Sequence, residues 1–81
     1  MYQAFDPVCF NAIGATAYLD DDPLAGHSGW FAGAFLSAES DGQFHISYRY
    51  QADPQMGQGD REARYLVSSD QVRPRAADGS C

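Results

Sequence analysis

The stretch Gln43 to Gln51, QFHISYRYQ, constrains the fold of this chain most. Phe44, Ile46, Tyr48 and Tyr50 alternate with Gln43, His45, Ser47 and Arg49. A period of two places the rings and the isoleucine on one side of an extended strand and the polar groups on the other. Asp41-Gly42 stands just before it, and these residues accept the positive φ that a tight reversal demands. The run before that turn, Trp30 to Ser37, is aromatic and aliphatic, which suits a pleated sheet, with Gly33 as a bend or bulge. A hairpin across residues 30–51 is the nucleus from which the rest is read.

The flanks continue the β pattern. Ile13 to Leu19 reads as a first strand, stopped by Asp20-Asp21-Asp22-Pro23, so residues 20–29 form a loop. Residues 52–61, ADPQMGQGDR, form a second loop, and Glu62 to Ser68 a further strand with Ala63, Tyr65 and Val67 on one face. Ser69-Asp70-Gln71 is expected to make a turn of 3₁₀ helix before Val72-Arg73-Pro74 closes the domain. Phe44, Ile46, Tyr65 and Val67 are assigned to the core; Tyr48, in phase with Phe44 and Ile46, reads as core ahead of any binding role, while Tyr50 near the strand end is open to either. Trp30 and Phe31 are adjacent, so only one of them can face inward. The expected fold is all-β: four to five short antiparallel strands in a closed or nearly closed barrel, since closure removes exposed sheet edges. Residues 1–11 are expected to flank that barrel or pack on it, because Pro7 limits regular structure there. Residues 75–81 read as a flexible tail.

With 81 residues the chain is one domain with a single small core. Eleven acidic residues against five arginines give a formal net charge of -6, which disfavours a phosphate backbone and favours a cationic partner. No apolar run is long enough for a membrane span, and the N-terminus has no basic n-region of a signal peptide. A soluble, intracellular protein is expected, with Cys9 and Cys81 as free thiols by default, since two cysteines make no disulfide framework, and a terminal bridge between them as the lesser alternative if the chain ends meet.

The order of the pieces resembles the Agenet domains among the Tudor-like domains of the Royal superfamily. The pieces are Gly14-Ala15-Thr16-Ala17-Tyr18, then Ser28-Gly29-Trp30-Phe31-Ala32-Gly33-Ala34-Phe35. Asp41-Gly42-Gln43-Phe44-His45-Ile46-Ser47-Tyr48 follows, and Val72-Arg73-Pro74 ends the series. The resemblance covers about residues 12–74, with Gly33 and Ala34 where the family usually has a larger pair. It implies an SH3-like barrel and recognition of a peptide, often one with a methylated lysine such as a histone tail, through an aromatic cage. For a eukaryotic source it would imply a nuclear location. Phe31 matches the ring that starts the second strand and Tyr48 the one late in the third, with Tyr50 two residues further on the same face. The first-strand wall falls on Leu19, with Tyr18 beside it, and Trp30 adjoins Phe31. Asp20, Asp21, Asp22 and Asp53 are the carboxylates that could complete such a site.

The physical basis of that cage is independent of the family. A methylammonium keeps its charge but loses donors, so aromatic faces and a carboxylate hold it well, at roughly 0.5–2 kcal/mol per ring. No catalytic constellation is legible: His27 and His45 lack partners at metal-ligand spacing, and no nucleophile elbow or phosphate-binding loop occurs. No enzyme activity, cofactor or metal is therefore expected. The rival reading is a structural or oligomerisation module without a ligand pocket, in which Tyr2, Phe5, Val8 and Phe10 either meet a second copy or cap the barrel within one chain. A small-molecule-binding barrel is a weaker third.

Overall fold

A computed structural model describes residues 2–19, 22–51 and 59–81. Six strands follow in order: β1 (Pro7–Asn11), β2 (Thr16–Ala17), β3 (Trp30–Ala38), β4 (Gln43–Gln51), β5 (Asp60–Ser68) and β6 (Val72–Pro74), with a 3₁₀ turn over Ser69–Gln71. They form one antiparallel sheet in the order β2-β5-β4-β3-β1-β6.

The β3–β4 hairpin turns where the sequence demands it. Gly42 takes φ +85°, the Glu39 amide donates to the Gln43 carbonyl at 2.7 Å, and the Gln43 amide donates to the Asp41 carboxylate at 3.3 Å. The bend expected at Gly33 lies elsewhere. Gly33 sits in regular register opposite Val8, and the β3–β4 register slips between Phe35 and Ser37. Gly33 is required for packing instead: a Cβ there would lie 2.8 Å from the Ser47 carbonyl oxygen, 2.9 Å from Ile46 Cγ2 and 3.0 Å from Phe10 Cε1.

The largest departure from expectation is at the N-terminus. Residues 7–11 do not flank the sheet; as β1 they lie between β3 and β6 inside it. Pro7 is the first residue of that strand, where a missing N–H is tolerated. Val8 and Phe10 are fully buried, and Tyr2 stacks on Phe35 with ring centroids 5.5 Å apart. Of the four N-terminal residues considered for oligomer contact, only Phe5 stands out into solvent, 77% exposed and held at φ 70°. The strand expected over Ile13 to Leu19 shrinks to Thr16–Ala17, paired to β5.

The sheet is curled but not closed. Phe10 on β1 and Tyr65 on β5 are three strand spacings apart, about 14 Å in a flat sheet, yet their ring centroids lie 5.6 Å apart. Curling gathers Val8, Phe10, Leu24, Phe35, Ile46, Ala63, Tyr65, Val67 and Val72 into one core. The edges β2 and β6 do not pair, so of the closed or nearly closed barrel expected, full closure is corrected to an open, strongly curved sheet.

The expectation of free thiols is overturned. Cys9 and Cys81 form a disulfide with Cα atoms 5.8 Å apart. Cys9 lies opposite Arg73 on the outward side of β1, so the bridge lays residues 75–81 across the outer face. Arg75 Nε donates to the Val8 carbonyl at 3.4 Å, and Arg75 also donates through Nη2 to the Gly33 carbonyl. Spacing alone could not reveal this pairing, because it depends on β6 returning beside β1. No helix of the described residues is long and apolar enough to cross a membrane.

Candidate functional site

Alternation along β3 and β4 decides which of the candidate rings can meet. On β4, Tyr48 and Tyr50 share the core side with Ile46; on β3, Phe31 shares it with Phe35. The three rings do converge, half-buried, at one end of the inner face. Phe31 stands perpendicular to Tyr48 at 6.1 Å between centroids (84°), and Tyr50 lies nearly parallel to Tyr48 at 6.2 Å (11°). Behind them Tyr48 meets Phe10 and Tyr65 edge-on at 6.0 and 6.5 Å. Tyr48 thus has one side in the core and one toward the cluster.

His27 joins this cluster from the loop before β3, edge-on to Phe31 at 6.2 Å. It is exposed, as a histidine in a loop is expected to be, and its contact with Phe31 is the part that sequence could not show. Its only signal is position, four residues ahead of Phe31 between Gly26 and Gly29, whose φ values of +78° and +99° turn the chain there. The His27 amide donates to the Leu24 carbonyl at 2.9 Å, which fixes the turn.

Two candidate rings stand apart from the trio. Trp30 points to the outer face, where the Arg73 guanidinium lies 4.1 Å from its ring centroid. Tyr18, 44% exposed, follows β2 and meets His45 on the polar side of β4, with Tyr18 Oη 2.9 Å from His45 Nδ1. His45 Nε2 in turn contacts Glu39. Burial raises the Tyr18 phenol above its ordinary value, which is the opposite of an activated nucleophile.

Among the acids, Asp22 serves the fold. Tyr65 Oη donates to Asp22 Oδ1 at 2.7 Å and accepts from the Leu24 amide at 3.2 Å, tying residues 22–24 down over the core. Burial, with the Asp22 carboxylate second, holds the Tyr65 phenol far above its usual range. Asp22 therefore reaches the aromatic cluster through Tyr65, whose ring borders Tyr48. Asp20, Asp21 and Asp53 lie outside the described residues.

A second feature lies on the opposite face of the sheet. Ala32, Gly33, Ala34, Ser47, Arg49 and Arg75 line a cleft of about 320 Å³. Beside it, Ser47 Oγ donates to Glu62 Oε2 at 2.6 Å and Arg64 Nε donates to Glu62 Oε1 at 2.9 Å. The hydrogen bond from Ser47, followed by that from Arg64, holds the Glu62 carboxyl below its ordinary range. Among the described residues no group of three His, Cys, Asp or Glu is placed to hold a metal ion. Compared with known protein families, curated proteins and solved structures, the chain matches none.

Proposed function

We propose that this chain is a non-catalytic binding module of the SH3-like, Tudor/Agenet type that receives a basic side chain, preferentially a methylated lysine of a histone-tail-like peptide. The observation that carries this reading is the convergence of Phe31, Tyr48 and Tyr50, half-buried on one face with rings at right angles and in parallel. Phe31 meets Tyr48 edge-to-face and Tyr50 stacks beside Tyr48, so the cluster is rich in π-surface, the kind of surface a cation favours. Three features support it: the net charge of -6, the Asp22 carboxylate one ring behind the cluster, and His27 as a further flat wall. The finer fold assignment draws support from the β3-β4-β5 meander, followed by a 3₁₀ turn and a short last strand beside β1.

Titration of the labelled protein with unmodified and methylated histone-tail peptides, followed by amide NMR shifts, tests the proposal. Shifts clustered at Phe31, Tyr48 and Tyr50, larger for methylated peptides, are expected. Tyr50→Ala should weaken binding roughly fivefold, the worth of one exposed cation–π contact. It should do so without loss of fold, because Tyr50 sits near the strand end. A flat response at millimolar peptide overturns the reading. The oligomerisation alternative then takes over, with exposed Phe5, Ile13 and Leu19 as its contact residues.

A further inference from the structure

The cleft on the outer face has a composition that the aromatic cluster does not explain. The chain contains five basic residues, all arginine, and two of them line this one depression. Its floor exists because β3 carries Ala32 and Ala34 on its outward positions, so only methyl groups rise from the sheet there. Gly33 between them is dictated by the inner face, as its close approach to Ile46 and Phe10 demonstrates. A larger residue at 32 or 34 would fill the space and cover the strand backbone.

The two guanidinium groups differ in how they are held. Arg75 is pinned against the strands by its bonds to the Val8 and Gly33 carbonyls, and the Cys9–Cys81 bridge ties down the segment that carries it. Two of its five N–H donors are used in those bonds and three remain. Arg49 makes no hydrogen bond or ion pair among the described residues. Its cross-strand neighbour is Glu62, but each carboxylate oxygen of Glu62 is already engaged, one by Ser47 and one by Arg64. Glu62 feels the Arg49 charge without hydrogen-bonding it, so the cleft holds two cations with spare donors over a small apolar floor.

The geometry points to a small-oxyanion site between Arg49 and Arg75, over the floor formed by Ala32, Gly33 and Ala34. Guanidinium forks match the planar oxygen pairs of carboxylates and phosphates, and two of them converging on one space favour a ligand bearing several such oxygens. A volume of about 320 Å³ is at the lower end for small-molecule pockets, which sets the ligand class: a phosphate monoester or a small polycarboxylate rather than a nucleic acid. This site lies on the opposite face of the sheet from Phe31, Tyr48 and Tyr50, so neither proposal depends on the other.

The test is an NMR titration of the disulfide-intact chain with inorganic phosphate and, separately, with citrate, each against sodium chloride at matched ionic strength. Saturable shifts are expected at the Ala32, Gly33 and Ala34 amides and at the Arg49 Nε–H signal, with at least tenfold weaker binding in Arg49→Gln. Ala34→Leu, which fills the cleft from its floor, should abolish them while the spectrum stays dispersed. Saturation by phosphate alone assigns a phosphate ester, and saturation by citrate alone a carboxylate. Shifts that rise linearly and match those from chloride, or that persist unchanged in both variants, overturn the site.

Discussion

Single residues in this chain carry more than one duty, and Tyr65 and Ser47 are the clearest cases. Tyr65 fills the core with its ring while its hydroxyl anchors the 22–24 segment through Asp22 and the Leu24 amide. Tyr65→Phe keeps the ring and leaves the Leu24 amide without its acceptor, a loss worth about 1–2 kcal/mol. Chemical denaturation should show that loss, with amide exchange speeding up at Leu24 before the rest of the sheet. Ser47 is buried on the outer side of β4 and donates to Glu62. Because that bond depresses the Glu62 carboxyl below its ordinary value of 4.5, Glu62 stabilises the fold above that value. The contribution disappears as pH falls through the depressed value. In Ser47→Ala, side-chain carboxyl NMR should show the Glu62 titration moved upward toward its ordinary position. Once pH falls through the depressed Glu62 value, the stability gap between variant and parent should then narrow.

At the level of elements, the long strands were readable and the short ones were not. Gln43–Gln51 has in the structure the bounds its alternation implies, and Ser69–Gln71 is the 3₁₀ turn expected there. Their signals are local: side-chain period in the one case, turn chemistry in the other. Pro7–Asn11 was passed over because a proline reads as a break, whereas its place at the strand's first residue costs no ladder bond. Ile13 to Leu19 has strand-like composition, but only Thr16–Ala17 finds a partner, since β1 occupies the place beside β3. The candidate cage was legible to the same extent. Tyr48 and Tyr50 follow from alternation along β4, whereas the choice of Phe31 over Trp30 comes from the resemblance alone and the separation of Tyr18 depends on long-range pairing. The position of β1 makes a prediction that the expected domain boundary would deny. Removing residues 1–11 deletes Val8 and Phe10 from the core and leaves β6 without β1, the one strand it pairs with among the described residues. Truncating one such core residue costs roughly 2–5 kcal/mol. The truncated chain should therefore lose its dispersed NMR spectrum entirely, whereas a segment merely flanking the fold could be removed with little effect.

For the whole molecule, the governing fact is smallness. A chain of this length buries a limited share of its surface, and net stability for small domains is only about 5–15 kcal/mol. An open sheet also leaves two edges instead of none, so something other than strand pairing must hold β6 and the following segment against β1. The Cys9–Cys81 bridge does this across 72 positions of sequence, enclosing nearly the whole fold in one covalent loop. In the chain-entropy account, a loop of that length removes about 4 kcal/mol of freedom from the unfolded state, a large fraction of what such a domain possesses. It also removes one support for an intracellular reading, because disulfides persist chiefly in oxidising surroundings. Guanidinium denaturation with and without a phosphine reductant should therefore separate by about 4 kcal/mol, and Cys81→Ser should behave as the reduced parent in both conditions. The inner face gives a control within the same experiment. Phe31, Tyr48 and Tyr50 sit on the inner face of β3 and β4, separated from β6 by β1, so their mutual contacts should survive reduction as long as the sheet stays folded. The amides of residues 75–81 and of Gly33 should shift first, since the bridge holds that segment to the outer face. Equal stability of the two forms would mean that the backbone bonds of β6 and the Arg75 contacts alone secure the C-terminal strand.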